Sequence, residues 1–252
     1  MERGKVVLIL VAVFVAAAGA EVWPPSLVSS FAAPPNAVDV AYELQSLYVL
    51  IDTSPAAVCK LTTNGSLVSS FGLTIPTPLR GLTYDGQSFS CFFASNRSNG
   101  YVYRLSTTGS LAGAFPCPGG VPFGLGFTDT SGPHGTGLFA ACRDSGYIAR
   151  LDKDTGSLLG TFAGPASGVV AYDDYFAGVR DSNDVYWDYY TSWQVFDTMP
   201  ARPMGIAAGV DLPTYDQFLR VFILCQNGYI YFYEGATAVA PASLGRVKAL
   251  YR

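Results

Sequence analysis

Ionisable side chains are scarce in this sequence. Its 252 residues hold 15 lysines and arginines, 19 aspartates and glutamates, and a single histidine. A net charge of −4 provides no basic footprint for nucleic acid. The lone histidine, His134, excludes a zinc site built from several imidazoles. It stands in T-S-G-P-H-G-T-G, a turn-rich insertion where an exposed loop histidine is expected rather than a catalytic base. No G-x-S-x-G elbow is present to hold a nucleophilic serine. Beyond residue 20 the only glutamates are Glu21, Glu43 and Glu234. A glycosidase pair of carboxylates would therefore have to draw on Asp39, Asp85 or Asp173.

Long apolar runs are also missing. The longest, Val6–Gly19, falls short of the ~20 residues that span a bilayer. Arg3 and Lys5 precede it, and Ala18-Gly19-Ala20 follows as a small-x-small cleavage pattern. Residues 1–20 thus read as a secretory signal peptide, which places the rest of the chain in an extracytoplasmic compartment with no membrane span after cleavage. The five cysteines, Cys59, Cys91, Cys117, Cys142 and Cys225, include no C-x-x-C pair, so a zinc knuckle or redox motif is not expected. One or two disulfides would leave at least one thiol over. Cys142 and Cys225 end apolar runs, F-A-A-C and F-I-L-C, and read as small buried hydrophobes.

Apolar residues, by contrast, make up 50% of the chain, aromatics 14%, and there are 27 glycines and 16 prolines. That mixture suits short, well-buried strands joined by tight turns. A repeat confirms the pattern. S-L-V-S-S-F occurs at Ser26–Phe31 and again at Ser66–Phe71, with S-L-A-G-A-F at 110, S-L-L-G-T-F at 157 and a degenerate S-W-Q-V-F at 192. Three copies follow a turn ending in glycine: T-N-G, T-T-G and D-T-G. After each phenylalanine comes a proline-containing loop, then a short apolar strand: V-D-V-A-Y, G-L-T-Y, G-L-G-F, G-V-V-A-Y and G-I-A-A. A second strand follows, closing on Asp52, Asn96, Asp144, Asp181 or Asn227, and then a third such as Y-V-Y-R-L or Y-I-A-R-L.

Four strands per unit, repeated every 35–47 residues, are expected to fold as an all-β propeller. First-to-third strand sets number five, and the last, ending at Tyr233, has no S-L-x-x-x-F after it. The surplus copy is the first one. The N-terminal strand Ser26–Phe31 is therefore expected to become the outer strand of the fifth blade and close the ring. A sixth blade built partly from the C-terminal tail is the alternative. The propeller domain then occupies residues 21–235. Residues 236–252, with Arg246, Lys248 and Arg252, form a tail that is expected to add an ordered strand over Arg246–Tyr251.

The turn and strand grammar resembles propellers of the NHL-repeat and gluconolactonase type, which commonly have six blades. The matching segments are D-T-G-S-L-L-G-T-F, L-R-G-L-T-Y-D-G, A-C-R-D-S-G-Y-I-A-R-L and S-N-G-Y-V-Y-R-L. The resemblance implies the propeller fold and, as one function, a metal-dependent lactonase holding calcium near the axis. Its ligands would stand where the inner strands begin. Here that entrance comprises Asn36, Asp39, Arg80, Phe123, Ser167 and Met204. Asn36 and Asp39, with Asp85, are the candidate ligands. The set includes no glutamate, and Arg80 opposes a divalent ion that needs six to eight oxygens. The expectation is therefore no cofactor, with Ca²⁺ as the alternative.

Two further groups are candidates for binding. In a propeller the loops after the second and fourth strands share one face, so Asp52, Asn96, Asp144, Asp181 and Asn227 should form a ring there. Their oxygens suit a cation or sugar hydroxyls, although recurrence in every blade favours backbone-bonding turn roles. Asp85 and Asp173 follow inner strands and read as turn residues. The stretch D-V-Y-W-D-Y-Y-T-S-W-Q-V-F offers Tyr186, Trp187, Tyr189, Tyr190 and Trp193 as an aromatic patch for sugars or proteins, or as packing between blades. Asn64 and Asn96 begin N-x-S sequons on predicted turns. The combined expectation is a secreted, non-catalytic module that binds a protein or a carbohydrate.

Overall fold

The computed structural model describes residues 25–43, 45–85, 90–129, 135–172, 175–189, 193–210 and 218–236. The proposed leader, residues 237–252 of the tail, His134, Asp173 and Tyr190 lie outside them. Twenty strands build five four-stranded antiparallel sheets. From the axis outward, blade one is β2 (Ala37–Glu43), β3 (Ser46–Ile51), β4 (Ala57–Thr62) and β5 (Leu67–Gly72). Blade two is β6 (Leu79–Asp85), β7 (Cys91–Asn96), β8 (Tyr101–Ser106) and β9 (Leu111–Pro116). Blade three is β10 (Pro122–Thr128), β11 (Gly137–Cys142), β12 (Tyr147–Leu151) and β13 (Leu158–Ala163). Blade four is β14 (Gly168–Tyr172), β15 (Tyr175–Val179), β16 (Asp184–Tyr189) and β17 (Trp193–Thr198). Blade five is β18 (Pro203–Val210), β19 (Phe218–Cys225), β20 (Tyr229–Ala236) and, closing the ring, β1 (Ser26–Ala32). The inner strands touch in the cycle β2, β6, β10, β14, β18 and back to β2. The chain is a five-bladed β-propeller.

Burial on both faces explains the near-continuous apolar runs of the second strands. Along β7, Phe92 and Ala94 pack toward blade one, whereas Cys91 and Phe93 pack toward blade three. Along β11, Leu138, Ala140 and Cys142 face blade two while Phe139 and Ala141 face blade four. In β19, Leu219, Val221 and Ile223 face blade four, with Phe222 and Leu224 against blade one. The core is thus five inter-blade seams rather than one central mass. A one-residue slip in any second strand would exchange the side chains of two seams, which pins the register. Rings carry much of the contact: Tyr48 meets Phe92 edge-on at 4.9 Å, and Phe139 meets Phe176 the same way at 4.6 Å.

The repeated S-L-x-x-x-F is explained by its two ends. Its leucine faces solvent, as at Leu67, which is 66% exposed. Its phenylalanine leans onto the glycine that ends the third-to-fourth-strand turn of the next blade. Phe31 covers Gly65, Phe71 covers Gly109 and Phe115 covers Gly156. A Cβ on Gly109 would stand 2.9 Å from the Phe71 ring, and those on Gly65 and Gly156 would overlap their rings. All three glycines also hold a positive φ, +88°, +85° and +73°. Turn shape and inter-blade docking therefore demand the same residue at once. Ring closure uses this contact too: β1 pairs antiparallel with β20, Leu27 opposite Tyr233 and Phe31 opposite Ile230.

Cys142 and Cys225 are buried as expected. No helix among the described residues is long and apolar enough to cross a membrane.

Candidate functional site

The first and second strands of each blade meet at one end, and hydrogen bonds tie the loops there into a common face. Asp52 N–H donates to Asn36 O, Arg97 N–H to Pro78 O, and Gln226 N–H to Arg202 O. The axis opens on this face, and a carboxyl group closes it. Where β6, β10, β14 and β18 carry Gly81, Gly124, Gly168 and Gly205, β2 carries Asp39. The glycines let inner strands touch backbone to backbone: a Cβ on Gly124 would stand 2.5 Å from Gly168 Cα, and one on Gly205 would fall on Asp39 Oδ1. Asp39, only 2% exposed, fills the space they leave. Its Oδ1 accepts the Val40 N–H at 2.9 Å and its Oδ2 accepts the Leu82 N–H of blade two at 2.7 Å. The Ile206 N–H of blade five also donates to it. One side chain thus links the inner strands of three blades.

Burial pushes the Asp39 carboxyl well above the usual carboxylate range, against the opposing pull of its three N–H donors and of Arg80. Beneath it lies an axial cavity of about 30 Å³, lined by Val40, Leu82, Leu125, Val170 and Ile206 from the five inner strands. That is room for water, not for a substrate.

Calcium does not fit this axis. The Asp39 oxygens are committed to backbone N–H groups, and Arg80 adds a positive charge beside them. Asn36 is an exposed turn residue at φ 62°. Asp85 lies four residues past Gly81 on β6, about 13 Å further along the axis. Among the described residues no three His, Cys, Asp or Glu side chains gather as metal ligands. The candidate ligand set of Asn36, Asp39 and Asp85 is therefore corrected: its members occupy different places because Asp39 serves the ring itself.

Around the plugged mouth stand arginines. Arg80 is the second residue of the inner strand β6 and Arg202 directly precedes β18, whereas Arg97, Arg143 and Arg180 directly follow second strands. Burial lowers the Arg80 pKa, Asp39 opposes this, and the guanidinium groups of Arg97, Arg202 and Arg143 lower it further. Four cations therefore share one small region. Asp181 bridges two of them, 2.5 Å from Arg143 Nη2 and 3.5 Å from Arg202 Nη1, and also accepts from Ser167 Oγ at 3.3 Å. Beside it, over blades three and four, lies an open groove of about 530 Å³. Its walls include Arg143, Arg180, Ser182, Asp184 and Tyr186. The Arg180 guanidinium lies over the Tyr186 ring at 4.7 Å, and that of Arg143 over Phe123 at 5.0 Å.

The other expected positions divide. In the ring, Asp52 latches blades by accepting the Leu79 N–H at 2.9 Å. Asn96 is fully buried, its Oδ1 accepting from Ser98 and Asn99 N–H and its Nδ2 donating to Pro76 O. Of the two roles expected for Asn96 the structure shows the turn: its buried amide is consumed there and offers nothing to a ligand or a glycan. Asn227 makes a similar turn with Tyr229 N–H and Tyr231 Oη. Asp144 is exposed in a single 3₁₀ turn, and Asp181 alone reaches the groove. Met204 is half-buried and packs on the seam between blades five and one.

The aromatic patch is also corrected. Trp187 is 9% exposed, packed with Val221 and Tyr233 in the seam to blade five, because β16 is covered on that face. Trp193 lies on Gly164 and donates its Nε1–H to Ala163 O at 2.8 Å. Of the proposed five, only Tyr186 lines the groove; the side chains of Tyr189 and Tyr190 lie outside the described residues. The arginine cluster went unread, although four of its members adjoin residues already singled out: Arg97 follows Asn96, Arg143 and Arg180 precede Asp144 and Asp181, and Arg202 stands two residues before Met204.

The fold recurs in solved structures. Myxococcus xanthus glutaminyl cyclase aligns with a TM-score of 0.63 at 13% identity, covering 84% of this chain and 96% of that one. The WD40 β-propeller domain of Doa1 aligns at 0.49 and 14%, covering 78% and 63%. Streptogramin B lyase aligns at 0.43 and 14%, covering 81% and 86%. No protein-family model matches the chain, and no curated protein matches it in sequence. At 13% identity the likeness to the cyclase is one of fold alone.

Proposed function

We propose that this chain is a non-catalytic binding module of an extracytoplasmic compartment, taking a protein or carbohydrate ligand in the groove over blades three and four. The sealed axis is the observation that carries this reading. An axial enzyme needs a cavity with convergent polar groups. Here the described mouth of the axis is occupied by Asp39 between backbone strands, and the groove found among the described residues lies off-axis and open. The lactonase alternative loses its ligand set, because Asn36, Asp39 and Asp85 do not converge.

Screening the purified chain on glycan and secreted-protein arrays tests the reading. Binding without turnover is expected, and a double change, Tyr186→Ala with Ser182→Ala, should weaken it about tenfold, the loss of one good contact. The thermal midpoint should stay within about 2 °C, since neither residue belongs to an inter-blade seam. Stoichiometric calcium together with chelator-sensitive hydrolysis of lactones or esters would replace this proposal with the enzyme.

A further inference from the structure

We infer that the groove and the adjoining arginine cluster select an acidic oligosaccharide, with the arginines holding carboxylate or sulfate groups on the sugar. This deepens the binding-module reading and rests on it. The charge balance is the starting point. Arg97, Arg143 and Arg202 each act electrostatically on Arg80; Asp181 and the sunken Asp39 lie among them, and Asp52, Asp144 and Asp184 stand at the margin of the same face. Asp39 lies below the surface with its oxygens turned to backbone N–H groups, so it does not screen an incoming anion from above. Neither Arg80 nor Arg97 has a side-chain hydrogen bond to a described residue. Their planar forks of donors remain available for two-point contacts with an oxyanion. Five arginines, Arg180 included, thus gather at one face of a chain whose overall charge is −4. The cluster is therefore a feature of one face and not of the composition.

The groove decides between a sugar and a peptide. Protein-recognition surfaces concentrate energy in apolar, charge-depleted pockets that take an aromatic or aliphatic anchor. The apolar walls here are short, from Gly146, Gly164, Ala166 and the Tyr186 ring, and charged or hydroxyl groups of Arg143, Arg180, Asp181, Asp184, Ser167 and Ser182 stand among them. Donors and acceptors so interleaved match the hydroxyls of a sugar, each of which both donates and accepts. Tyr186 supplies the one ring edge, its outer face already stiffened by Arg180. A chain of sugars lying in the groove would bring its acidic substituents to the arginines at the mouth.

Calorimetric titration tests this with four probes: oligogalacturonate for carboxylate, a heparin-type oligosaccharide for sulfate, cello-oligosaccharide as the neutral sugar, and polyglutamate as the acidic peptide. Tighter binding of either acidic sugar than of the other two is expected, and the better of them identifies the substituent. Affinity should fall as salt rises from 50 to 300 mM, roughly the range over which exposed charges become screened. Arg97→Ala, at an exposed loop position, should lower affinity about tenfold, and Arg97→Lys should recover part of it. Equal binding of neutral and acidic sugars without salt dependence would overturn the charge selection and leave a binding module standing. Preference for polyglutamate would overturn the sugar assignment. No binding of any probe, alongside a protein ligand found on the arrays at another face, would overturn the whole inference; no ligand on probes or arrays would overturn the module itself.

Discussion

Replacing Asp39 with alanine is expected to destabilise the propeller by about 3 kcal/mol, because two or more backbone N–H groups at the axis lose their acceptor, each at about 1–3 kcal/mol. Urea unfolding reads this directly, and the thermal midpoint should drop by about 10 °C for a domain of this size. Adding a methyl at the same level, Gly124→Ala, should do comparable damage from the opposite direction, since the Cβ meets Gly168 backbone that no rotamer change can move. Asp39→Asn separates hydrogen bonding from charge. Its amide offers one acceptor oxygen where the carboxyl offers two, so it should be less stable than the parent and more stable than Asp39→Ala. The pH dependence carries the second readout. Burial raises the folded-state pKa above that of the unfolded chain, so the folded protein holds this proton more tightly. The stability that comes from this group is complete below the unfolded value, near 3.9, and drains as pH rises through the higher folded value. The parent should therefore lose stability relative to Asp39→Asn as pH rises above about 4. An Asp39→Ala protein that unfolds with the parent would show that the carboxyl does not hold the blades together.

The contrast between axis and fold explains what the sequence made readable. Strands, turns and blade number were legible because their causes are local and repeat: Phe71 and Gly109 form a contact that recurs as Phe115 and Gly156, so the letters recur as well. The surplus Ser26–Phe31 copy foretold ring closure for the same reason. Asp39 was legible as a residue of the axial entrance, but its chemistry was not. A carboxyl that binds metal and one that binds backbone N–H groups look alike until the neighbouring inner strands are in place. The arginine mouth arises from single residues, Arg80 at the start of β6 and four others in separate loops, and no run or spacing announces it. Tyr186 and Trp187 show the limit of alternation. Strict alternation separates two faces of a strand, yet it does not say which faces another blade covers.

Oxidative refolding is expected to join Cys117 to Cys142. Cys117 lies in the loop between β9 and β10, Cys142 ends β11, and their Sγ atoms stand 3.8 Å apart. Closing to the ~2.05 Å bond length requires a shift of under 2 Å, small beside what a loop residue accommodates. All five cysteines are free thiols in the structure, and the 3.8 Å contact is what singles out this pair. The two thiols are also unequal. Hydrogen bonding from Cys142 lowers the Cys117 pKa, while the same contact, burial and the Cys117 charge raise that of Cys142. That inequality belongs to the folded state; while the loop is still open either thiol can begin, and the exchange is the same with Cys117 first. Its thiolate attacks a small-molecule disulfide and releases one thiol, leaving a mixed disulfide. The Cys142 thiolate then attacks Cys117 Sγ and expels the second thiol; two protein thiols are oxidised as one disulfide is reduced. Because both sulfurs are buried, this should proceed before the loop closes over them, during folding. Refolding in a glutathione redox buffer, followed by alkylation under denaturing conditions, should label three of the five cysteines: Cys59, Cys91 and Cys225. The link closes a loop of roughly 25 residues and should stabilise the oxidised form by about 3 kcal/mol over the reduced one. Five labelled thiols after oxidation, or a bridge that includes Cys59 or Cys91, would show that the contact between blades two and three is not placed as described.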